Sequence, residues 1–561
     1  MVYQESVYLE ELPNSDMTVF TPPNKQGNVV VPTEPPKRQS LVLSALGISI
    51  ASALTVILGF ALQVVLAAFF GAARETDAYL AAWAIPSILT IVLFGSFSIT
   101  FIPVFVEYQV RGHAEDAWTV VIGFLYLCVG LLVALCTGLA IFAEPIIRIT
   151  TPGFEPGSDI FILTVYLFRL LLPSIVFSGV AGILRSIYFA QKRFVLASWA
   201  PVINGIIMVG GTVVLSHRMG VSSVAVSTLI GSIIQFTLLV GVLIRSRYRA
   251  SWRAVQHPGV RRVLALMLPW MLSAAFSKSN TLIDRFFASQ MDVGSISSLD
   301  YAYRLMIAIS QVLTQGISMV LFPLMAEYVA AANTSELRRI SAQGVRLTVL
   351  LAIPATIAIV TLNQPLVRIF FERGHFDAAA TTRTADALVA YMGAFFSAAV
   401  GSVLTFVFYA SQDTVTVAVV GGIGFGINLV AAFILTPLLG VIGPALAFSL
   451  ASMFNLIVLT FLLRQRLHGF EIDVLFKTIF RLLPASVLAW LIWSQGISWL
   501  GGTPTRDLVG TVSVVVILLF GGVAFVGVGL LMGVDEIHAL AMYVRRRLIT
   551  RRAAHPGNGD I

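Results

Sequence analysis

Long apolar runs recur along the whole chain, and they constrain its fold more than any other feature of the sequence. A helix of about 20 apolar residues is long enough to cross the hydrocarbon core of a bilayer. Charged residues make up only 11% of the chain, whereas soluble domains carry about 25%. The sequence therefore predicts an all-α polytopic membrane protein and excludes soluble enzyme folds. The fourteen predicted transmembrane helices lie near 42–70, 78–106, 117–143, 160–182, 194–216, 222–244, 263–290, 298–326, 345–362, 385–410, 415–438, 441–463, 478–500 and 508–532.

The two ends of the chain differ from these spans. Residues 1–40 contain prolines and acidic residues but no apolar run, a composition typical of disorder. Residues 541–561 are basic. Lys and Arg also favour the loops on one side of the membrane, with 25 there and 7 on the other side. Because positive charge accumulates in cytoplasmic loops, we expect two cytoplasmic tails and a plasma-membrane location. The same bias explains the net charge of +8 without a nucleic-acid partner.

An internal repeat divides the chain at a constant offset of 220 residues. Six spans separate the two copies, so both copies have the same orientation. Such parallel repeats place a substrate site between two lobes that rock about it. We predict an N-lobe at 41–250, a C-lobe at 251–465 and two additional helices within 466–540. The matching segments are Phe101–Tyr108 with Leu321–Tyr328, Tyr188–Ala190 with Phe408–Ala410, and Gly220–Val221 with Gly440–Val441.

Charged residues inside predicted spans are energetically unfavourable and are therefore candidates for function. Four cations outnumber two anions, which suits an anionic substrate such as a diphosphate, since Arg binds phosphate with two parallel hydrogen bonds. Asp300 and Arg304 are also spaced to pair directly on one helix. Asp77 is a further candidate ligand, although it lies at a span start where a helix-capping role is equally consistent. The six charged positions are Arg169, Lys278, Asp284, Arg285, Asp300 and Arg304.

Motifs for enzymatic chemistry are absent from the sequence. It contains neither a Gly-x-x-x-x-Gly-Lys-Ser/Thr phosphate loop nor a His-Glu-x-x-His zinc motif. We therefore expect a transporter with no catalytic residues, no metal centre and no cofactor. Transport would then depend on a sodium gradient, the membrane potential or the gradient of the substrate itself.

Several motifs, in consistent order over roughly residues 45–465, resemble the MurJ/MviN lipid II flippases of the multidrug/oligosaccharidyl-lipid/polysaccharide exporter superfamily. The number of predicted spans also resembles that family, because fourteen spans are two more than the twelve that form the internal repeat. The motifs are Leu58-Gly-Phe60, Phe70-Gly-Ala72, Thr76-Asp-Ala78, Phe101-Ile-Pro103 with Glu107-Tyr108, Phe371-Glu-Arg-Gly-His-Phe376 with Ala387-Leu and Tyr391, and Phe408-Tyr-Ala-Ser-Gln-Asp-Thr414.

The resemblance implies a bacterial inner-membrane protein that moves an undecaprenyl-diphosphate-linked saccharide, in this family lipid II for peptidoglycan synthesis, to the outer leaflet by alternating access. It implies that the last two helices form a groove for the lipid tail, and that membrane lipids and cell-wall synthesis proteins are partners. Arg304 matches an arginine in the family's eighth span. Asp284 lies near a carboxylate that some members use to bind sodium.

Several positions depart from the family pattern. Val56 and Leu62 replace arginines of the first span, Thr90-Ile91 replaces a basic pair of the second, and Phe406 replaces a later arginine. Lys278, Arg285 and Arg169 could compensate, or the substrate could be a different lipid-linked polysaccharide precursor. A non-transporting scaffold for cell-wall synthesis, a cation-coupled drug antiporter and a membrane glycosyltransferase are further alternatives.

Overall fold

The computed structural model describes residues 38–542, except 111, 192, 246–251, 468, 470–471, 500–507, 535 and 539–541. The regular secondary structure of the described part is all helical, and both predicted tails lie almost entirely outside the described residues. The helices are α1 Arg38–Phe70, α2 Arg74–Val110, α3 Ala114–Ile141, α4 Ala143–Thr150, α5 Asp159–Ala190, α6 Phe194–Met219, α7 Ser222–Arg245, α8 Pro258–Ala288, α9 Ser295–Ala330, α10 Thr334–Thr361, α11 Asn363–Phe371, α12 Ala378–Ala390, α13 Met392–Ala410, α14 Thr414–Leu439, α15 Ile442–Arg466, α16 Ile472–Trp499 and α17 Leu508–Leu531, with a short 3₁₀ helix at Trp252–Gln256.

These helices agree with the predicted all-α membrane fold. Within the described residues, eleven helices are long and apolar enough to cross a membrane, and the chain is therefore a multi-pass membrane protein. Three other long helices, α8, α9 and α16, fall outside that set. The charged residues predicted within spans, apart from Arg169, lie on α8 and α9, and their charges lower the hydropathy of these two helices. The count of fourteen spans is consistent with this architecture.

Several spans extend beyond their predicted limits, and the ninth, expected to begin at residue 345, begins at Thr334. The fourth was expected to end at residue 182, but α5 continues to Ala190. The tenth is divided into α12 and α13, which meet at Tyr391. Hydropathy detects the apolar part of a helix and not its polar ends, and it cannot detect a division inside an apolar run.

The helix limits reproduce the internal repeat. α3 spans Ala114–Ile141 and α10 spans Thr334–Thr361, while α6 spans Phe194–Met219 and α14 spans Thr414–Leu439. Each pair is displaced by 220 residues at both ends, as the sequence motifs predicted. We refer to α1–α7 as the first repeat and α8–α15 as the second repeat. The predicted residue limits of the two lobes remain predictions.

Helices pack mainly within their own repeat, with two exceptions, α8 and the pair α16 and α17. α2, α5, α6 and α7 pack together in the first repeat, and α9, α10, α13, α14 and α15 pack in the second. α8 contacts α14 of its own repeat but also packs along α2 of the first. α16 and α17 pack against each other and against α10, where Arg346 Nε lies 3.2 Å from Glu536 Oε1. We call the end of the bundle where α1 begins the N-terminal end, and the other the first-loop end.

Candidate functional site

Asp300 lies between two arginines at the centre of the predicted charge cluster. Arg285 Nη2 donates to Asp300 Oδ1 at 2.5 Å, and Arg304 Nε donates to Asp300 Oδ2 at 2.5 Å. The side chains of Arg285 and Asp300 are almost fully buried, at 5% and 6% exposure, whereas Arg304 remains 35% exposed. The predicted pairing of Asp300 with Arg304 is confirmed. One carboxylate facing two guanidiniums leaves a net positive charge, and Arg304 is the member that solvent or a ligand can reach.

Asp284 belongs to a neighbouring buried contact. Its Oδ2 accepts a hydrogen bond from the Tyr391 hydroxyl at 3.2 Å, where α12 and α13 meet. Its Oδ1 is buried and accepts no hydrogen bond within the described part of the chain. Nearby on α8, the Asn280 side-chain oxygen accepts from Asn428 Nδ2 at 2.8 Å. A buried carboxylate oxygen without a donor is a place where a proton or a cation would be stabilised.

Asp77 caps a helix of the other repeat. The backbone N–H of Gly294 donates to Asp77 Oδ2 at 2.6 Å, and that of Ser297 donates to Oδ1 at 2.8 Å. α9 begins at Ser295, and its own N-cap residue, Gly294, has no side chain to supply this acceptor. The capping role considered for Asp77 is therefore observed, but on α9 and not on its own helix, α2.

Further contacts join the repeats at the first-loop end. The His375 N–H donates to the carbonyl oxygen of Ala68 at 3.0 Å, and the Tyr301 hydroxyl donates to that of Gly71 at 3.2 Å. Gly71 has a φ of +65°, and an added Cβ would collide with the backbone of His375. This combination of left-handed backbone and close approach requires glycine. These contacts close the first-loop end between the two repeats.

Lys278 lines a cavity of about 470 Å³ in the second repeat. Polar groups from three other helices share the lining, among them Tyr303, Thr405 and Asn455. Lys278 is partly buried, and it has neither an ion pair nor a hydrogen bond to another described residue. Lys278 and Arg285 are seven residues apart and lie on one face of α8, but their side chains do not meet, because Arg285 turns to Asp300.

Arg169 lies apart from these groups. Its Nε donates to the carbonyl oxygen of Ala140 at 3.1 Å, and its Nη2 lies 3.5 Å from Glu144 Oε1. Both side chains are about half exposed. The structure therefore does not bring Arg169 together with Lys278, Arg285 and Arg304.

Arg185 is a cation that lies beyond residue 182, the predicted end of the fourth span. It lies in the last third of α5, and its Nε is buried without a hydrogen-bond partner among the described residues. Its guanidinium carbon lies 5.9 Å from the ring centre of Phe189. The repeat offset of 220 relates Arg185 to Thr405, which lines the cavity of the second repeat. The sequence alone does not identify this position, because Thr405 is placed in a cavity only by the structure.

The neutral positions of the family pattern lie in different surroundings. Leu62 is buried in the largest core cluster, and Val56 is 45% exposed on α1. Thr90 donates to the carbonyl oxygen of Pro86 within α2. Phe406 lines the Lys278 cavity and packs edge-on against Phe322. None of these four side chains adds positive charge to the site.

Comparison with known proteins identifies lipid II flippases as relatives of this chain. The sequence profile of the family described as "Lipid II flippase MurJ" matches residues 66–520. The "Lipid II flippase MurJ" of Burkholderia cenocepacia is 28% identical over 437 residues, covering 76% of this chain and 83% of that protein. The "Probable lipid II flippase MurJ" of Rhizobium tropici is 25% identical over 519 residues, covering 89% and 95%.

Solved structures give the same result for the fold. The structure described as "Lipid II flippase MurJ, inward closed conformation" superposes with a TM-score of 0.72 at 26% identity, covering 85% of this chain and 98% of that chain. An inward-facing multidrug transporter of the MATE family and MOP superfamily superposes with a TM-score of 0.64 at 13% identity, covering 76% and 98%. The second likeness concerns the fold alone.

Proposed function

Because this chain belongs to the lipid II flippase MurJ family, we propose that it moves a polyprenyl-diphosphate-linked saccharide, lipid II, from the inner to the outer leaflet. The observation that carries the proposal is the net positive site around Asp300 on the two helices α8 and α9. Two of the three charged groups there are arginines, and Arg304 is accessible. A diphosphate accepts strong, charge-assisted hydrogen bonds from guanidinium groups.

The cations with free donors divide between the two repeats. Arg304 and Lys278 belong to the second repeat, and Arg185 belongs to the first. Arg304 and Lys278 lie on the neighbouring helices α9 and α8, and neither is fully neutralised by an acid, so both would contribute donors to a bound diphosphate. Lys278 would in this way replace part of the charge that Val56, Leu62 and Phe406 do not supply.

The transport step is alternating access between the two repeats. The contacts of Asp77, Tyr301 and His375 hold the first-loop end closed, and these contacts would break when the site opens to that side. The positive charge of the loops supports cytoplasmic termini, so the first-loop end would face the outside of the cell. The closed state described above would then be the one that loads substrate from the inner leaflet.

A cation gradient or the membrane potential would drive the cycle. The buried, donor-free Oδ1 of Asp284 supports this carboxylate as the coupling site, with sodium as the first ion to test. The protein would carry out no covalent chemistry. α16 and α17 would hold the lipid tail beside α10, and cell-wall synthesis proteins would be its cellular partners.

Complementation tests the function directly. A bacterial host depleted of its resident lipid II flippase should grow when this chain is expressed. An Arg304→Ala variant of equal membrane abundance is the matched negative control. Failure of the unsubstituted chain to rescue growth, with the protein verified in the membrane, would contradict lipid II as the substrate.

The neutral family positions favour one second candidate, a flippase for another lipid-linked polysaccharide precursor. Such a substrate keeps the diphosphate and the polyprenyl chain but carries a different glycan. In a reconstituted system, competition by lipid II against a generic polyprenyl-diphosphate glycan distinguishes the two. Preference for the generic lipid would support the second candidate.

A further inference from the structure

An apolar cavity of about 400 Å³ lies between the two repeats, in the half of the molecule nearer the N-terminal end. α2, α3 and α5 line one side of it, and α8 lines the other. Apart from the sulfur atoms of Cys128 and two methionines, its lining is hydrocarbon, including Phe97, Phe124 and Leu268. A void of this kind is unfavourable when empty, because its lining atoms lack van der Waals partners. It is also too apolar to be filled by water.

The cavity opens toward the membrane between α3 and α8. Leu131 of α3 is 58% exposed, and Leu264 and Leu268 of α8 are 38% and 59% exposed. All three also line the cavity. The exposed surface of a membrane span contacts lipid tails, so the opening of this cavity is accessible to an acyl chain.

Aromatic and basic residues mark the level of the lipid headgroups at the same place. The exposed ring of Trp252 stacks on Tyr126, with 5.2 Å between ring centres, and such aromatic residues concentrate at membrane interfaces. Arg261 is exposed near the start of α8, about 4.5 Å along the helix axis from Leu264. Arg262 beside it is paired with Glu107 at 3.0 Å, so Arg261 is the residue available to an anion.

We propose that this cavity binds one acyl chain of an anionic phospholipid, with the phosphate of the same lipid at Arg261. The charge of Arg261 selects an anionic headgroup, and the hydrocarbon lining selects the chain. Because the lining comes from both repeats, a bound chain packs α8 against α2 and α3. The lipid is a structural ligand of the transporter and differs from its cargo.

Photocrosslinking tests this site in the intact protein. The full chain is placed in bilayer nanodiscs with phosphatidylglycerol that carries a diazirine in one acyl chain. After irradiation, we expect labelled peptides that contain Cys128–Leu132 and Leu264–Met271. Unlabelled phosphatidylglycerol should reduce this labelling, and phosphatidylcholine should reduce it less. Arg261→Gln should remove that difference between the two lipids.

Two variants of α3 separate the cavity from the general lipid surface. Cys128→Phe places a ring inside the cavity, whereas Val133→Phe places one on the 49% exposed lipid-facing surface of the same helix. Labelling should fall about tenfold in Cys128→Phe, equivalent to about 1.4 kcal/mol of binding, and stay unchanged in Val133→Phe. Equal labelling in both variants would overturn the proposal. So would labelling of the unsubstituted chain that only undecaprenyl diphosphate displaces, which would assign the cavity to the tail of the cargo.

Discussion

At the scale of single residues, the position of each charge decides its role more than its presence does. Arg169 and Arg304 are both arginines in predicted spans, yet one pairs with Glu144 at the surface and the other with buried Asp300. A surface pair contributes at most about 1 kcal/mol. Removing a buried carboxylate from between two guanidiniums costs more, because it leaves like charges uncompensated.

Replacing Arg304 should eliminate transport without unfolding the protein. In Arg304→Ala, Arg285 still neutralises Asp300, so the fold is retained, but the accessible guanidinium for the diphosphate is lost. We expect no rescue of a flippase-depleted host at normal membrane abundance. Arg169→Ala is the control and should rescue growth fully. Rescue by Arg304→Ala would remove the argument for an anion site at this position.

Replacing Asp300 should act on stability. Asp300→Asn leaves Arg285 and Arg304 close together without an anion, and the expected loss is about 3 kcal/mol in the free energy of unfolding. Glu144→Gln, which breaks the exposed pair with Arg169, should change stability by less than about 1 kcal/mol. Thermal unfolding of both purified variants in detergent measures the difference. Equal unfolding temperatures would show that the buried pair is not structural.

At the scale of helices, two aspartates cap α9 and α14 in different ways. Asp413 caps its own helix, with its Oδ1 accepting from the Thr416 N–H at 3.1 Å. Asp77 lies on α2 and caps α9, 217 residues later in the chain. A cap within one repeat stabilises a helix in every state of the protein. A cap between repeats stabilises only the state in which the two repeats meet.

Weakening the Asp77 cap should open the first-loop end. Asp77→Asn exchanges a charged acceptor for a neutral one, which costs about 1 kcal/mol. Spin labels at exposed Glu155 and Arg373 should then report longer distances. The substitution weakens a contact that only the closed state makes, so the open state becomes more populated. Asp413→Asn is the control and should leave the distance unchanged. The same short distance in both variants would contradict a gating role for Asp77.

The Asp413 cap should also make stability depend on pH. Hydrogen bonds from the Thr416 backbone N–H, the Thr416 hydroxyl and Arg466 hold the pKa of Asp413 below its usual value of 3.8. Its stabilising contribution is therefore complete above pH 3.8 and is lost as the pH falls through the lowered pKa. Thermal unfolding should separate the parent protein from Asp413→Asn at neutral pH and bring them together in strong acid. A constant difference would contradict this assignment.

At the scale of the whole molecule, two repeats of similar structure form an asymmetric site. The positions in the first repeat that correspond to Asp300 and Arg304 are Leu80 and Ala84, so the first repeat has no counterpart of this buried pair. α8 adds a further asymmetry by packing along α2, whereas α1 makes little contact with α9. The two repeats therefore meet unequally on the two sides of the molecule.

A covalent link across the repeats should stop the cycle. Ala68→Cys with His375→Cys places two thiols where the backbones already hydrogen-bond, in a chain whose native cysteines are replaced by Ser. Oxidation should trap the closed end and prevent transport, and reduction should restore it. Ser178→Cys with Ser232→Cys joins α5 to α7 within one repeat, where the hydroxyls are 2.8 Å apart. That control should transport in both redox states, and inhibition of both pairs would contradict motion between the repeats.

The sequence by itself determined the membrane fold, the order of the helices, the repeat and the charged helices α8 and α9. Each of these depends on hydropathy, on spacing along one helix or on motifs at a fixed offset, all of which are local properties of the chain. The pairing of Asp300 with Arg304 was predictable for the same reason, since the two residues lie one turn apart.

Only the tertiary structure decided which residues meet across helices. It placed Asp77 at the start of α9, Asp284 beside Tyr391, Arg169 at the surface and Arg185 inside α5. These contacts join residues far apart in sequence, or follow from helix ends that hydropathy does not locate. Their energies depend on packing between helices, and a single sequence carries no direct record of that packing.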